Sequence, residues 1–459
     1  MYILIFCILG VAPLVDWSPD TIISEGYTSY PNQHNIVCNG TGDIYSVWYK
    51  WGGGGRAYSV WFNSYIDSYW STAQELSDIS YRVFDSYPSV AMYADNIYCA
   101  WTRGSGYSEI VLRRAINGNW EDTVIVISSS SNYSYAPSMA CDFNGIVHIV
   151  YEKGYEICYR KLDADFLSDE VVLSSSGIYA SYPAIACYQN NIFVVWEDIR
   201  DGNFELYFKM WNGSQWSGDA RITNSSLASI FPSICVDSTG VLHIVWQEES
   251  SSGYKIFYTS YSSGAFSSPI LIVDSQGEAI TPSIAASNDR LHLVWSDSRA
   301  GDWEIYYKIK NDWGDDIRLT NSPGISAGPS ICANNSGNVY LLFWDTRVSP
   351  AKIYFKKGTI SKDEENTHLE LAISPNPFHN KTVIEFRVKS SELKDLQLQI
   401  YDLSGRVVKT FNSINPINSI VWDGKSDDGT LLNSGIYFIK VVGQGFSLAN
   451  PPRKVVFIR

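Results

Sequence analysis

A proline and an aromatic residue recur together seven times along this chain, and that repeat limits the possible folds more than any other feature. The prolines are Pro31, Pro88, Pro137, Pro183, Pro232, Pro282 and Pro329, spaced 46 to 57 residues apart. Thirteen to seventeen residues after them stand Trp48, Trp101, Tyr151, Trp196, Trp246, Trp295 and Trp344. The clearest unit starts at Pro282. Its sequence predicts four short strands, at 283–286, 291–295, 304–309 and 316–320, with turn chemistry at Asn288-Asp289 and Ser298–Gly301.

Four short strands per unit of this length is the pattern of a propeller blade. The fold class expected is therefore all-β: a seven-bladed β-propeller over residues 18–357. The seventh unit supplies only three strands, and Asp20–Ser24 resembles the missing one, so the N-terminal strand is expected to complete the last blade and remove an open edge. Before it, Met1–Val15 is an apolar run too short to span a bilayer as a helix, and residues 1–17 read as a signal peptide or its remnant. No other segment approaches membrane length.

Composition narrows the function classes. Aromatics reach 14% and charged residues only 18%, with 31 Tyr and 16 Trp, which suits an extracytoplasmic β-protein. From Asn366 onward there are 11 Lys+Arg against 8 Asp+Glu, so the tail carries +3 and the rest −17 of the net −14. A body that acidic disfavours nucleic acid as a partner. The cysteines form no CxxC pair and no zinc-spaced cluster. Cys141, Cys187, Cys235 and Cys332 share one repeat position and read as small buried residues. His148, His243 and His292 each precede the blade aromatic by three residues. Blades fan around an axis, so these histidines are expected to pack rather than to meet on a metal. No metal and no cofactor is expected. The Asp427-Asp428 turn lacks a full oxygen-ligand loop for calcium.

The tail follows a polar linker at 358–367. In order it carries Leu369–Phe378 (LELAISPNPF), Leu398–Arg406 (LQIYDLSGR), Trp422–Gly429 (WDGKSDDG), Ser434–Phe438 (SGIYF) and Lys454–Arg459 (KVVFIR). Together these runs closely resemble the C-terminal sorting domain of type IX secretion, itself related to the immunoglobulin-like domain of flagellar hook-cap proteins. The resemblance implies an Ig-like β-sandwich over 368–459 that engages secretion machinery. It further implies a secreted or outer-surface protein. Without the family, Asp427-Asp428-Gly429 still reads as hairpin chemistry and Ser374–Pro377 as a rigid turn.

On the repeats, Trp-x-Asp-x-Arg is the sharpest local pattern. It gives Asp198 and Arg200, Asp297 and Arg299, and, in a shortened form after Trp344, Asp345 and Arg347. These six residues are the candidate ligand-binding residues, on turns between second and third strands that share one face. The competing reading is a self-contained turn in which Asp caps and Arg pairs. The run Ser296–Trp303 resembles the Asp-box of bacterial sialidases, but its Asp and Gly are four apart rather than two and it lies on a different turn. Those enzymes also need three arginines around a carboxylate and a Tyr–Glu pair, and no motif singles out such a pair. Trp51, Trp61, Trp70, Trp211, Trp216, Trp303 and Trp313 flank turns and could stack on sugar rings, whereas Gly52–Gly55 lacks the residues of a phosphate loop. The expectation is a non-catalytic binder of glycan or of a surface protein. A sialidase-like glycoside hydrolase is the alternative.

Overall fold

The structure is a computed structural model that describes residues 15–24, 34–51, 58–77, 84–104, 107–128, 133–174, 177–287, 290–310, 313–360, 368–389, 396–414, 417–442 and 453–458. Most of the leader, Pro31, Gly52–Gly55, Asn288-Asp289 and most of the linker lie outside the described residues. The chain divides into two compact units. One is Trp17–Thr359, and the other groups 360–459 with the first sixteen residues.

Within Trp17–Thr359 the described strands form seven antiparallel sheets of four or five strands. Numbered in chain order, sheets 1 to 7 begin at His34–Cys38, Phe84–Tyr93, Ser134–Cys141, Ala180–Tyr188, Ser229–Val236, Ala279–Ser287 and Ser326–Ala333. The first strand of each sheet lies beside the first strand of the next, and that of sheet 7 lies beside that of sheet 1. In sheet 6 the strands are Ala279–Ser287, Arg290–Asp297, Glu304–Lys310 and Ile317–Arg318, longer at the inside and shorter at the edge than the sequence predicts.

The repeated proline has a clear physical role. In sheets 2 to 7 the residue before it adopts a left-handed backbone: Tyr87, Ala136, Tyr182, Phe231, Thr281 and Gly328 have φ between 47° and 60°. At each of these places the pairing of first and second strands shifts register. Proline donates no N–H, so it is tolerated at such a bulge, and the bulge re-aims the preceding side chain. Sheet 1 departs from the pattern. His34 pairs opposite Trp48, in the place the proline takes elsewhere, so the expectation that Pro31 opens that unit is corrected to His34.

A second correction concerns sheet 7. Ser326 pairs with Asp345 as Ala180 pairs with Asp198 and Ala279 with Asp297. The repeat aromatic is therefore the fully buried Phe343, one residue before Trp344, and the Asp-x-Arg turn there is not shortened.

Residues Val15–Trp17 and Thr21–Ile22 both join the third strand of sheet 7, Lys352–Ile360. Thr21 pairs with Phe355 and Ile22 with Tyr354. Aromatics wedge the sheets together. Trp120 of sheet 2 stands edge-on to Phe62, Trp216 of sheet 4 to Tyr159, Phe266 of sheet 5 to Phe208, and Trp313 of sheet 6 to Tyr258. Trp70 of sheet 1 meets Phe355 of sheet 7, and Trp17 meets Tyr307 of sheet 6 at 5.2 Å. Trp17 thus packs within the repeat region, although the sequence reading leaves it in the leader.

The second unit carries a three-stranded sheet (His368–Ser374, Thr382–Lys389, Ile417–Trp422) and a four-stranded one (Val407–Ile414, Leu396–Tyr401, Gly435–Val442, Arg453–Phe457). Their shared core includes Phe378, Ile384, Leu398, Trp422, Ile439 and Phe457. Among the described residues no helix is long and apolar enough to cross a membrane.

Candidate functional site

All seven first strands contribute to one cavity of about 470 Å³, lined by the bulge residues, their prolines and the small residues that follow. Because the bulges begin the first strands, Tyr87, Tyr182 and Phe231 stand at one mouth of this cavity. Tyr182 and Tyr87 share a hydrogen bond, reaching each other past the small Ala136 of the intervening sheet. The ring of Tyr182 lies 4.8 Å from that of Phe231.

Behind this aromatic rim, the residue after the repeat aromatic straps one sheet to the next. Thr102 accepts the N–H of Ala136 at 3.2 Å, Glu197 that of Phe231 at 2.5 Å, Gln247 that of Thr281 at 2.7 Å, and Ser296 that of Gly328 at 3.0 Å. Glu197 holds this position with 3% of its surface exposed, and burial pushes its carboxyl up to about 8. A neutral carboxylic acid there does the work of the glutamine in sheet 5. Glu152 is the equivalent in sheet 3. Among the described residues it makes no hydrogen bond or ion pair, and burial alone raises it to about 7.

The same face carries an arc of tyrosines. In sheet 3 the second and third strands are joined by a two-residue turn, Gly154-Tyr155, with φ of 58° and 76°. This turn lifts the Tyr155 ring into solvent, 63% exposed. Tyr155 lies 5.5 Å from Tyr179, which stands edge-on to Phe204 at 6.0 Å. Alongside, Tyr107 (63% exposed) meets Tyr133 at 5.6 Å, and Tyr133 stacks on Tyr135 at 6.2 Å. No sequence motif marks this arc, since a lone Tyr beside a turn carries none and tryptophans are the more conspicuous candidates. The usable signal was recurrence, since Tyr107, Tyr155, Phe204, Tyr254 and Trp303 all precede third strands.

The six predicted site residues are brought together as pairs, each inside its own sheet. Asp198, Asp297 and Asp345 are fully buried. Asp297 accepts the indole N–H of Trp295 at 2.8 Å, the hydroxyl of Ser275 at 2.7 Å, and the backbone and side chain of Arg299 at 2.9 and 2.6 Å. Burial opposes its charge, yet the bonds from Arg299, Ser275 and Trp295 outweigh that cost and hold the carboxyl below its ordinary range. Each arginine goes on to a second aspartate that also meets a lysine. Arg200 and Lys209 share Asp219, Arg299 and Lys308 share Asp316, and Arg347 and Lys356 share Asp20. The guanidinium groups lie over Tyr207, Tyr306 and Tyr354, 4.1 to 4.6 Å from the ring centres. With both sides of each arginine engaged, the three do not converge on a ligand carboxylate.

The other candidates resolve in similar terms. His148, His243 and His292 each share a 2.8 Å hydrogen bond through Nδ1 with Tyr159, Tyr258 and Tyr307 of the neighbouring strand. Trp70, Trp216 and Trp313 are the wedges already described, Trp211 packs on Trp216, and Trp61 carries Lys50 at 3.9 Å. Trp51 is the exposed exception, at 43%. Among the described residues no group of three His, Cys, Asp or Glu is placed to hold a metal.

Comparison with known proteins agrees with this division. Residues 377–445 match the FlgD Ig-like domain family. The repeat region is similar in fold to an ulvan lyase solved with -[GlcA(1-4)Rha3S]- bound. The TM-score is 0.53 at 11% identity, over 72% of this chain and 94% of that one. Weaker similarities are to a protein of unknown function from Dyadobacter fermentans (TM-score 0.48, 12% identity, 61% and 95% covered) and an α-L-arabinofuranosidase from Fusarium graminearum (0.46, 10%, 72% and 94%). No curated protein matched. The chain is thus a β-propeller-like repeat region followed by an Ig-like domain.

Proposed function

We propose that residues 18–357 close as a seven-bladed β-propeller, with the N-terminal strand as the outer edge of the last blade. The adjacency of sheets 1 and 7, and the pairing of Thr21 and Ile22 with Lys352–Ile360, support that closure. The tail acts as a sorting-type module that hands the protein to secretion machinery. This rests on its motif resemblance and on the Ig-like match over 377–445. The mature protein is then secreted or held at the outer surface.

The propeller's role is non-catalytic binding of a glycan at the mouth rimmed by Tyr87, Tyr182 and Phe231 and flanked by the tyrosine arc. A single observation carries this reading: Tyr155, held out by a turn built for it, beside Tyr179. Exposed rings offer apolar faces to sugar C–H groups and hydroxyls to sugar oxygens. The ulvan lyase acts on an acidic polysaccharide, whereas this chain's repeat region is strongly acidic, so an uncharged glycan is the ligand class favoured here. Titrating the full-length protein with neutral and acidic oligosaccharides, with intrinsic fluorescence as readout, tests this. Binding only of acidic sugars overturns the ligand class, and silence toward both makes a protein the partner.

A second reading has its own support: Glu152, without a side-chain partner among the described residues and raised to about 7 by burial, could move a proton in a glycan-cleaving reaction. Product release from a neutral polysaccharide, lost in Glu152→Gln, would establish it. The sialidase-like alternative is weakened because Arg200, Arg299 and Arg347 are spent inside their own sheets.

A further inference from the structure

The seam between sheets 1 and 7 is where the repeat region begins and ends, and two cysteines face each other across it. Cys38 closes the first strand of sheet 1 and pairs with Ile44. Cys332 stands one position earlier in the first strand of sheet 7 and pairs with Tyr340, so it leaves the opposite face of its sheet, the face turned to sheet 1. Their strands are neighbours, and both side chains pack in one cluster with Ile36, Ile44 and Tyr340. The adjoining turns are also in contact. A Cβ on Gly42 would sit 2.8 Å from the Tyr340 hydroxyl, and Ser336 donates to the Gly40 carbonyl at 3.4 Å. The two side chains share a hydrogen bond, and both residues keep partial solvent exposure.

Cysteines recur at the Cys38 position in sheets 3 and 4 as Cys141 and Cys187, and at the Cys332 position in sheet 5 as Cys235. Sheets 2 and 6 place Met92 and Ala286 at the Cys38 position. Only the pair at the seam would join the two ends of the repeat region, so only there does a covalent link act on ring opening.

We propose that Cys38 and Cys332 are a disulfide-forming pair that staples the first sheet to the last once the protein meets a disulfide-bearing oxidant. In the exchange, the Cys38 thiolate attacks the oxidant's disulfide and releases one thiol, leaving a mixed disulfide. The Cys332 thiolate then attacks the Cys38 sulfur and expels the second thiol. Two S–H bonds are lost, one S–S bond forms, and the oxidant leaves as two thiols carrying both electrons and both protons. Burial and the bond from Cys38 hold the Cys332 thiol well above its ordinary range, so the second step quickens as pH rises. Bridging the two ends of a long chain segment restricts the unfolded chain strongly, so the oxidised protein resists unfolding.

The test treats full-length protein with oxidised glutathione, alkylates the remaining thiols, and digests without reduction. The expected result is a linked peptide pair containing Cys38 and Cys332 and two fewer titratable thiols than the eight of the reduced chain. A gain of about 5 °C in melting temperature should appear in Cys141→Ala and be absent in Cys38→Ala. Eight free thiols after prolonged oxidation, a stable glutathione adduct, or a link through any other cysteine overturns the proposal.

Discussion

Sheets 4, 6 and 7 and sheet 3 share one repeat pattern, yet they finish the same face in opposite ways. In sheets 4, 6 and 7 a long turn after the second strand folds an arginine back over a buried aspartate, and the chain Asp–Arg–Asp–Lys ties three strands together. In sheet 3 that turn shrinks to Gly154-Tyr155, and a simpler Lys153–Glu170 pair at 2.5 Å remains. The first arrangement engages the terminal guanidinium nitrogens internally, and the second leaves rings exposed. The charged turns are thus engaged within their own sheets, and the plainer turn of sheet 3 is the one whose ring faces solvent.

Removal of residues 18–26 is the harshest way to break the networked half. It takes away Asp20, which pairs with Arg347 at 2.5 Å and Lys356 at 2.7 Å, together with the buried Ile23 and the edge pairing of Thr21 and Ile22. Arg347 and Lys356 are left without their second carboxylate, and a strand edge opens. The melting temperature should fall by about 10 °C or more. A truncated protein that melts like the parent would remove the seventh sheet's dependence on the N-terminus.

Asp297→Ala comes next. It strips Arg299, Trp295 and Ser275 of a shared acceptor in a fully buried place and should cost about 3–5 kcal/mol. Lys153→Ala, in the other half, should cost about 1 kcal/mol, because that pair is partly solvated. Equal losses in chemical denaturation would erase the distinction between the two halves.

The sequence disclosed the repeat and its all-β character because period and strand alternation are local signals. The first unit misled: Pro31 looks like the repeat proline, and only pairing with Trp48 identifies His34. Trp344 misled for a like reason, since a tryptophan one residue out of register is more conspicuous than the Phe343 that fills the core. The rim of Tyr87, Tyr182 and Phe231 was not readable at all. It depends on left-handed residues from sheets far apart in sequence and on Ala136 being small enough to let two tyrosines meet. The Tyr155 turn was partly readable, because Gly-Tyr between two strand runs predicts a tight hairpin but not what gathers beside it.

Titration separates the networked aspartates from the buried glutamates behind the rim in sign. Asp219, Asp297 and Asp345 are held below their ordinary range, so their contribution is present above the unfolded value of about 4 and is lost as pH falls through the folded ones. Glu152 and Glu197 are raised to about 7 and about 8, so theirs is complete below about pH 4.5 and is lost as pH rises through those values. Glu197→Gln, which copies Gln247, should match the parent's melting temperature near pH 5 and exceed it by about 2–5 °C near pH 9. A variant that is less stable at both pH values would show that Glu197 works as an anion.

The smallest effect on stability and the largest on binding should come from Tyr155→Asn. Asparagine tolerates the left-handed backbone that the turn requires at 76°, so the hairpin keeps its shape, and the lost ring was mostly in water. Stability should change by less than about 0.5 kcal/mol, while affinity for the neutral glycan drops on the order of tenfold. Trp303→Ala, the matching position in sheet 6, should leave affinity within about twofold, because among the described residues the ring there has no exposed tyrosine cluster beside it. If both substitutions weaken binding alike, the ligand spans the whole face, and the contrast between networked and tyrosine-bearing sheets holds for stability alone.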